Sequence, residues 1–336
     1  MSVTRTKLAE LFPMIASREE VYAKICESSE MLKAFNAWSE ERQEEFLDIC
    51  AGNRGVKMLY DPFFKEILNP DATPERLSDL LSCLLMRKVT VKQVLPNDSN
   101  RLGDEISLVI TDIVVELEDK TIANVEVQKI GYRFMGQRAS CYSADLLLRQ
   151  YKRVRGEKKK NFSYRDIAPV YTIVFVENSS AEFKEYPENY IHRISSKSDT
   201  GIDLGMLQNF IFIPIDNFLN KLHNKGIESK LDAWLTFLAC DEPEWIMKLI
   251  QEYDQFKDYY NDIYNMCLNI EEVMNMFSKE LAILDRNTVK YMIDELQEQL
   301  DDANQIIEDK ENTIKSQQAT IKALQEKLDK YENLNS

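Results

Sequence analysis

The stretch ISLVITDIVVELEDKTIANVEVQKI, residues 106–130, decides how this chain folds. Its first half, Ile106 to Leu117, is β-branched and nearly all apolar, the composition of a buried strand, with Asp112 in its middle. Its second half, Thr121 to Ile130, alternates. Asn124, Glu126 and Gln128 share one face, and Ala123, Val125 and Val127 share the other. Glu118-Asp119-Lys120 is the natural turn between them. A three-residue loop pairs Leu117 with Thr121, so paired positions sum to 238 and Asp112 lies opposite Glu126. Cross-strand neighbours have Cβ atoms roughly 4.5–5.5 Å apart. Two carboxylates at that separation repel unless a proton or a divalent cation sits between them. Magnesium suits the position, because it takes one or two carboxylates, keeps several waters and bridges to a phosphate. Gln128, two residues further on the same face, is placed to orient a water or a phosphate oxygen. An inward Asp on a strand is also satisfied by backbone donors or by an arginine, and Arg138 is a candidate partner. Both readings stay open at this point.

Upstream, residues 1–55 read as helices, with Val21, Ile25, Met31, Leu32 and Phe35 near a 3.6-residue period. Tyr60 to Leu68 opens a helix, with Asp61 suited to the N-cap and Pro62 to the first turn. Asn69-Pro70-Asp71 breaks it. A second helix runs from Thr73 to about Leu85 on a stripe of Leu77, Leu80, Leu81 and Leu84. Val89-Thr90-Val91 is a short candidate strand. Downstream, Phe134 to Val154 is a long helix, Pro169 to Val176 a buried strand and Asn209 to Ile215 a further strand. From Glu228 onward the chain reads as helix, broken at Asp241-Glu242-Pro243. Ile293, Leu300, Ile307, Ile314, Ile321 and Leu328 then recur every seven residues. Leu296 and Leu324 hold two of the positions three residues later. That rhythm is a coiled coil and predicts self-association, most simply a parallel dimer through residues 293–331. Lys310 and Gln317 are polar breaks in its seam.

The net charge of −15 is unevenly spread. Residues 241–336 carry 22 acids against 10 bases, while residues 1–240 carry 35 against 32. Within the latter, Lys129 to Arg165 holds 11 Lys and Arg against Asp145 and Glu157. A basic segment inside a near-neutral body fits a polyanionic substrate at one face, or a solvated helix face. Lys152, Arg153 and Arg155 are the candidate DNA contacts. No run approaches the ~20 apolar residues that span a bilayer, and the N-terminus is too polar for a signal peptide. Cys26, Cys50, Cys83, Cys141, Cys240 and Cys267 lie far apart with no CxxC pair, which reads as reduced thiols in a cytoplasmic protein.

The spacing D-(x13)-E-x-Q across a hairpin, followed by a helix, resembles the PD-(D/E)XK nuclease superfamily. In detail it is similar to the recombination-promoting nuclease/putative transposase branch. The matching pieces are Asp61-Pro62-Phe63-Phe64-Lys65, Leu80-Leu81, Asp112, Asn124-Val125-Glu126-Val127-Gln128, then Phe134, Arg138 and Tyr142, and finally Pro169 to Ile173. The resemblance covers about residues 55 to 220. It implies an α/β fold, a central mixed sheet flanked by helices, here with a helical C-terminal extension. The divisions would be 1–55 (N-terminal helices), 56–225 (nuclease-like core), 226–290 (helical region) and 291–333 (coiled coil). It further implies a metal-dependent DNA endonuclease of recombination or mobile-element biology. Mg2+, or Mn2+, would be held by Asp112, Glu126 and the backbone carbonyl of Val127, with Gln128 helping to activate the nucleophilic water. Position 111 is Thr where the superfamily name has Pro. Position 128 is Gln where most of the superfamily has Lys, so it brings no positive charge to the water, although the resembled branch carries Gln there. Lys129 points to the opposite face of a regular strand. Asp61 and Glu75 are candidate helix acids that reach the metal through water, or else helix-capping residues. Arg138 and Tyr142, four apart on one helix face, would meet the scissile phosphate or clamp the carboxylates. The rival reading is a catalytically inactive nuclease-fold scaffold that works through its coiled coil, and a third is a metal-free DNA-binding oligomer.

Overall fold

The computed structural model describes residues 6–95, 113–129 and 135–334. The chain divides into two units, 1–284 and 285–336. Short polar side chains open the first helices. Thr6, Ser17, Ser28 and Ser39 each accept a backbone N–H at the start of α1 (Lys7–Leu11), α2 (Arg18–Glu27), α3 (Ser29–Asn36) and α4 (Glu40–Cys50). A proline in the first turn starts α5 (Asp61–Ile67) and α6 (Pro74–Leu85). The N-cap of α5 is Tyr60, not Asp61. Asp61 is the first helical residue, and its carboxylate pairs with Lys65 at 2.8 Å.

Strand β1 (Val91–Val94) begins two residues later than the sequence suggests. The hydroxyl of Ser82 takes the N–H of Val89, and that of Ser78 takes the N–H of Val91, so residues 89–90 are held to α6. Strands β2 (Ile113–Leu117) and β3 (Ile122–Gln128) form an antiparallel hairpin. Its described pairs are Ile113 with Val125, Val114 with Asn124, Val115 with Ala123 and Glu116 with Ile122. Each satisfies the expected sum of 238. Leu117 accepts from Lys120 N–H at 2.9 Å and donates to Thr121 at 2.9 Å, which closes the three-residue loop. Lys120 sits at φ 71°, the left-handed conformation that completes such a turn. Residues 106–112, the rest of the expected first strand, lie outside the described residues.

A long helix, α7 (Met135–Lys158), carries the chain to β4 (Val170–Val176), which pairs parallel to β3. The crossover is required, since a parallel neighbour cannot be reached by a tight turn. After α8 (Ala181–Lys184) and β5 (His192–Ser195), β6 (Gln208–Pro214) joins β4 in parallel and β5 antiparallel. The sheet order is β1-β2-β3-β4-β6-β5. Helices α9 (Ile215–Lys225), α10 (Lys230–Ala239), α11 (Pro243–Glu252), α12 (Gln255–Met266) and α13 (Ile270–Leu334) follow. The result is a mixed sheet flanked by helices.

The two faces of the sheet bury different things. Ile113, Val115, Ala123, Val125, Ile173, Phe175 and Ile211 enter one cluster that runs from Leu8 to Phe277. Residues from before position 56, from 56–225 and from beyond 225 all contribute to this cluster. Gly55 shows how close that packing is. Its N–H donates to Asp241 O at 2.6 Å, and an added Cβ would lie 2.3 Å from Ile246. The other face meets α7 through Val114, Ile122, Leu146 and Val170, and through Met135, Ala139, Val174, Val176 and Phe212. In the second unit the described heptad side chains Ile293, Leu296, Leu300, Ile307, Ile314, Ile321 and Leu324 are each more than half exposed.

Candidate active site

Strand alternation puts Asn124, Glu126 and Gln128 on the face that α7 covers, and all three are buried. Gln128 Nε2 donates to Glu126 Oε1 at 2.8 Å. Glu126 Oε2 and Gln128 Oε1 have no hydrogen-bond partner among the described residues. Burial pushes the Glu126 carboxyl above its usual range, and the Gln128 hydrogen bond and the Arg138 charge offset this only in part. On α7, Arg138 donates to the Tyr142 hydroxyl at 3.1 Å, with its guanidinium 5.9 Å from the ring. Burial raises the Tyr142 phenol, Arg138 lowers it and the Glu126 charge raises it further. These four side chains therefore share one electrostatic neighbourhood. A buried carboxylate oxygen and an amide carbonyl, both unpaired, are hard oxygen donors of the kind magnesium and manganese take. The residues fit such an ion. Among the described residues there is no cluster of three or more His, Cys, Asp and Glu. Asp112, the expected second carboxylate, lies outside the described residues.

Residues 58–303 match the family described as PD-(D/E)XK nuclease family transposase. The chain belongs to that family. No curated protein and no solved structure matches it.

In this PD-(D/E)XK family member the lysine next to the E-x-Q segment has a different place. Lys129 is buried on the opposite face, where Nζ donates to Leu59 O at 2.6 Å and lies 3.1 Å from Glu280 and 3.3 Å from Glu177. Val127 faces that side too, packing against the main core. The Asp61 carboxylate is taken up by Lys65, and its N–H donates to Glu280 at 2.8 Å. Glu75 is exposed at the start of α6, where its charge acts on Tyr259. Neither helix acid is brought to Glu126 by a described contact.

The three basic candidates also separate. Lys152 and Arg155 are exposed, and Arg155 packs on and donates to Tyr151. Arg153 instead turns onto the sheet, 2.6 Å from the buried Glu116, which Lys92 also reaches at 2.9 Å. Burial would raise Glu116, but Lys92 and Arg153 together hold it below the usual carboxylate range.

Two further residues on the α7 face, Thr172 and Ser143, escaped the sequence reading, and Asn124, read there as sharing the face of Glu126 and Gln128, is fully buried as they are. Neither end of the Asn124 amide nor either hydroxyl has a hydrogen-bond partner among the described residues. The available signal was a neutral polar residue at an inward position. Thr172 interrupts an apolar strand, and Ser143 lies four residues after Ala139 on the inward stripe of α7.

Proposed function

We propose that this chain is a divalent-metal-dependent DNA endonuclease acting in recombination or mobile-element biology. The observation that carries the reading is Glu126, a buried carboxylate with one oxygen held by Gln128 and the other unpaired beneath Arg138 and Tyr142. An unpaired buried charge is expensive, and a bound cation offsets that cost. Asp112, Glu126 and the Val127 carbonyl would hold Mg2+, with Mn2+ as a substitute. When bound, the ion lowers the pKa of a coordinated water and neutralises charge on the phosphate. The chain's own residues do the positioning. Gln128 Nε2 fixes the orientation of Glu126, and Gln128 Oε1 is left to accept from a water. Arg138 supplies the positive charge that a lysine at 128 would have brought, and Tyr142 orients it. Lys152 and Arg155 would contact DNA phosphates.

The register supports the pairing of the two acids. Every described hairpin pair sums to 238, and the same register carried one step further would set Asp112 opposite Glu126. The exposed heptad row supports a parallel dimer through residues 293–331, which brings two such sites to one duplex. The rival reading, an inactive nuclease-fold scaffold, draws on Gln128 in place of lysine.

Plasmid cleavage with Mg2+, Mn2+ or EDTA decides between them. Wild type is expected to cut with either metal and not with EDTA. Asp112→Asn and Glu126→Gln are expected to lose cutting and the metal-induced rise in melting temperature together. Gln128→Ala is expected to lose cutting and keep much of that rise. Intact plasmid and an unmoved melting temperature for wild type in millimolar metal would leave the scaffold.

A further inference from the structure

Helix α7 ends in a cluster of rings that the proposed catalytic reading does not use. Tyr151, on its last turns, stacks with Tyr164 at 6.0 Å between centroids and 11° between planes. Phe162 packs edge-on against both, at 5.5 Å from Tyr151 and 5.3 Å from Tyr164. Three aromatic rings in mutual contact normally bury one another. Here Tyr164 remains 76% exposed, so one ring face is presented to solvent from a packed base.

The turn that presents it is built to hold its shape. Ser163 accepts from the Arg165 N–H, Asp166 accepts from the Ser163 N–H at 2.8 Å, and Lys158 pairs with Asp166. The surrounding charge is positive. Residues 151–166 carry seven Lys and Arg against Glu157 and Asp166. Two of those cations are committed, Arg153 to Glu116 and Lys158 to Asp166. Lys152, Lys159, Lys160 and Arg165 are exposed and have no acidic partner among the described residues. Arg155 lies 5.5 Å from the centre of the Tyr151 ring and stiffens the base of the stack.

A rigid exposed ring in a segment rich in exposed cations suits one ligand chemistry above others. Paired bases show only their edges, whereas an unpaired base offers its flat face to a ring and its phosphate to a lysine. We infer that Tyr164, backed by Tyr151 and Phe162, is a stacking platform for unpaired bases of single-stranded DNA, whose backbone is held by Lys159, Lys160 and Arg165. The choice of DNA rests on the nuclease reading and deepens it: the substrate carries a single-stranded segment. The platform is remote from Glu126. Nine residues of helix separate Tyr142 from Tyr151, about 14 Å along the axis, and turn the side chain through about half a circle. The unpaired strand is thus gripped away from the point of cutting.

Binding is measured in EDTA on the full chain, so that cleavage plays no part. Fluorescence anisotropy with a labelled 30-nucleotide single strand and the matching duplex is the readout. Wild type is expected to bind the single strand more tightly than the duplex. Tyr164→Ala is expected to weaken the single strand about tenfold and leave the duplex within about twofold, since stacking is worth about a factor of ten or more per base. Tyr164→Phe is expected to retain wild-type affinity. A side chain this exposed contributes little to folding, so the melting temperature of Tyr164→Ala is expected to match wild type. Equal losses on both DNAs, no loss on either, or a wild type that prefers the duplex would overturn the platform. If wild type cuts no plasmid yet shows the strand preference, the nuclease reading fails and the platform stands. If it cuts with metal and shows no preference, the reverse holds.

Discussion

Lys129 Nζ lies 3.1 Å from the Glu280 carboxylate, and both residues are almost wholly out of solvent. The same nitrogen donates to Leu59 O, and Glu280 accepts the first N–H of α5. One ion pair thus ties the end of the E-x-Q strand to α5 and α13. Removing one member of a buried pair typically costs roughly 3–5 kcal/mol, because the other charge is stranded. Lys129→Met is expected to destabilise by about that much in guanidinium unfolding. Lys129→Met combined with Glu280→Gln is expected to recover most of the loss. A double variant no more stable than the single would show that the pair is not the cause.

The Glu126 carboxyl gives a pH-dependent expectation. Burial holds its folded pKa above the ordinary 4.5, so the folded state keeps a proton that the unfolded state has released. Its stabilising contribution is full below 4.5 and is lost as pH rises through the folded value. Glu126→Gln removes that loss. Without metal, the variant is expected to melt higher than wild type near pH 7, with the gap closing as pH falls towards 4.5. A variant that melts lower at pH 7 would mean that a cationic partner satisfies Glu126 in the resting protein.

The basic residues of α7 are expected to divide by role. Lys152→Ala with Arg155→Ala should weaken DNA binding and flatten its salt dependence, because fewer counterions are released. The melting temperature should barely move. Arg153→Ala should instead destabilise by about 1–3 kcal/mol, since Glu116 is buried and loses one of the two cations that face it, keeping Lys92 and the Gln93 amide. Anisotropy titrations at several salt concentrations, alongside thermal melts, separate the two. Identical behaviour of the three arginine and lysine positions would contradict the division.

Self-association is expected to depend on the seam of α13. Ile307→Glu with Ile314→Glu places like charges at consecutive core positions of the heptad and should return a dimer to monomer. Light scattering on the full chain reads the mass directly. Because these residues lie outside the core of residues 1–284, the secondary structure of that unit should persist. A wild type already monomeric at tens of micromolar would remove the premise.

The hairpin was legible because alternation and loop length leave one register, and Ile113 to Gln128 follow it. Arg138 and Tyr142 were legible as one helix face. Other parts depend on partners distant in sequence. β5 is four residues, mostly polar and exposed, and its pairing with β6 is what makes it a strand. Nothing local marks Glu280, in an acidic helix, as a buried acid, because its partner stands on β3. Arg153 looked like a surface cation, since Glu116 sits in a run of apolar residues whose facing helix could not be registered from sequence. Ser143 and Thr172 are neutral, and a neutral side chain carries no charge signal to betray its burial.

The pairing of Lys129 with Glu280 also sets a clock on synthesis. The β2–β3 hairpin closes through three residues and can form as soon as it is clear of the ribosome. Its neighbour β4 must await α7, and Glu280 follows Lys129 by 151 positions. At ~5–20 residues per second that interval lasts roughly 8–30 s. During it, Lys129 has Leu59 and Glu177 to receive it but not yet Glu280, so the tie from the end of this strand to α13 is still missing. A nascent chain therefore holds the hairpin early and gains the buried ion pair behind it late, when most of the polypeptide has been made.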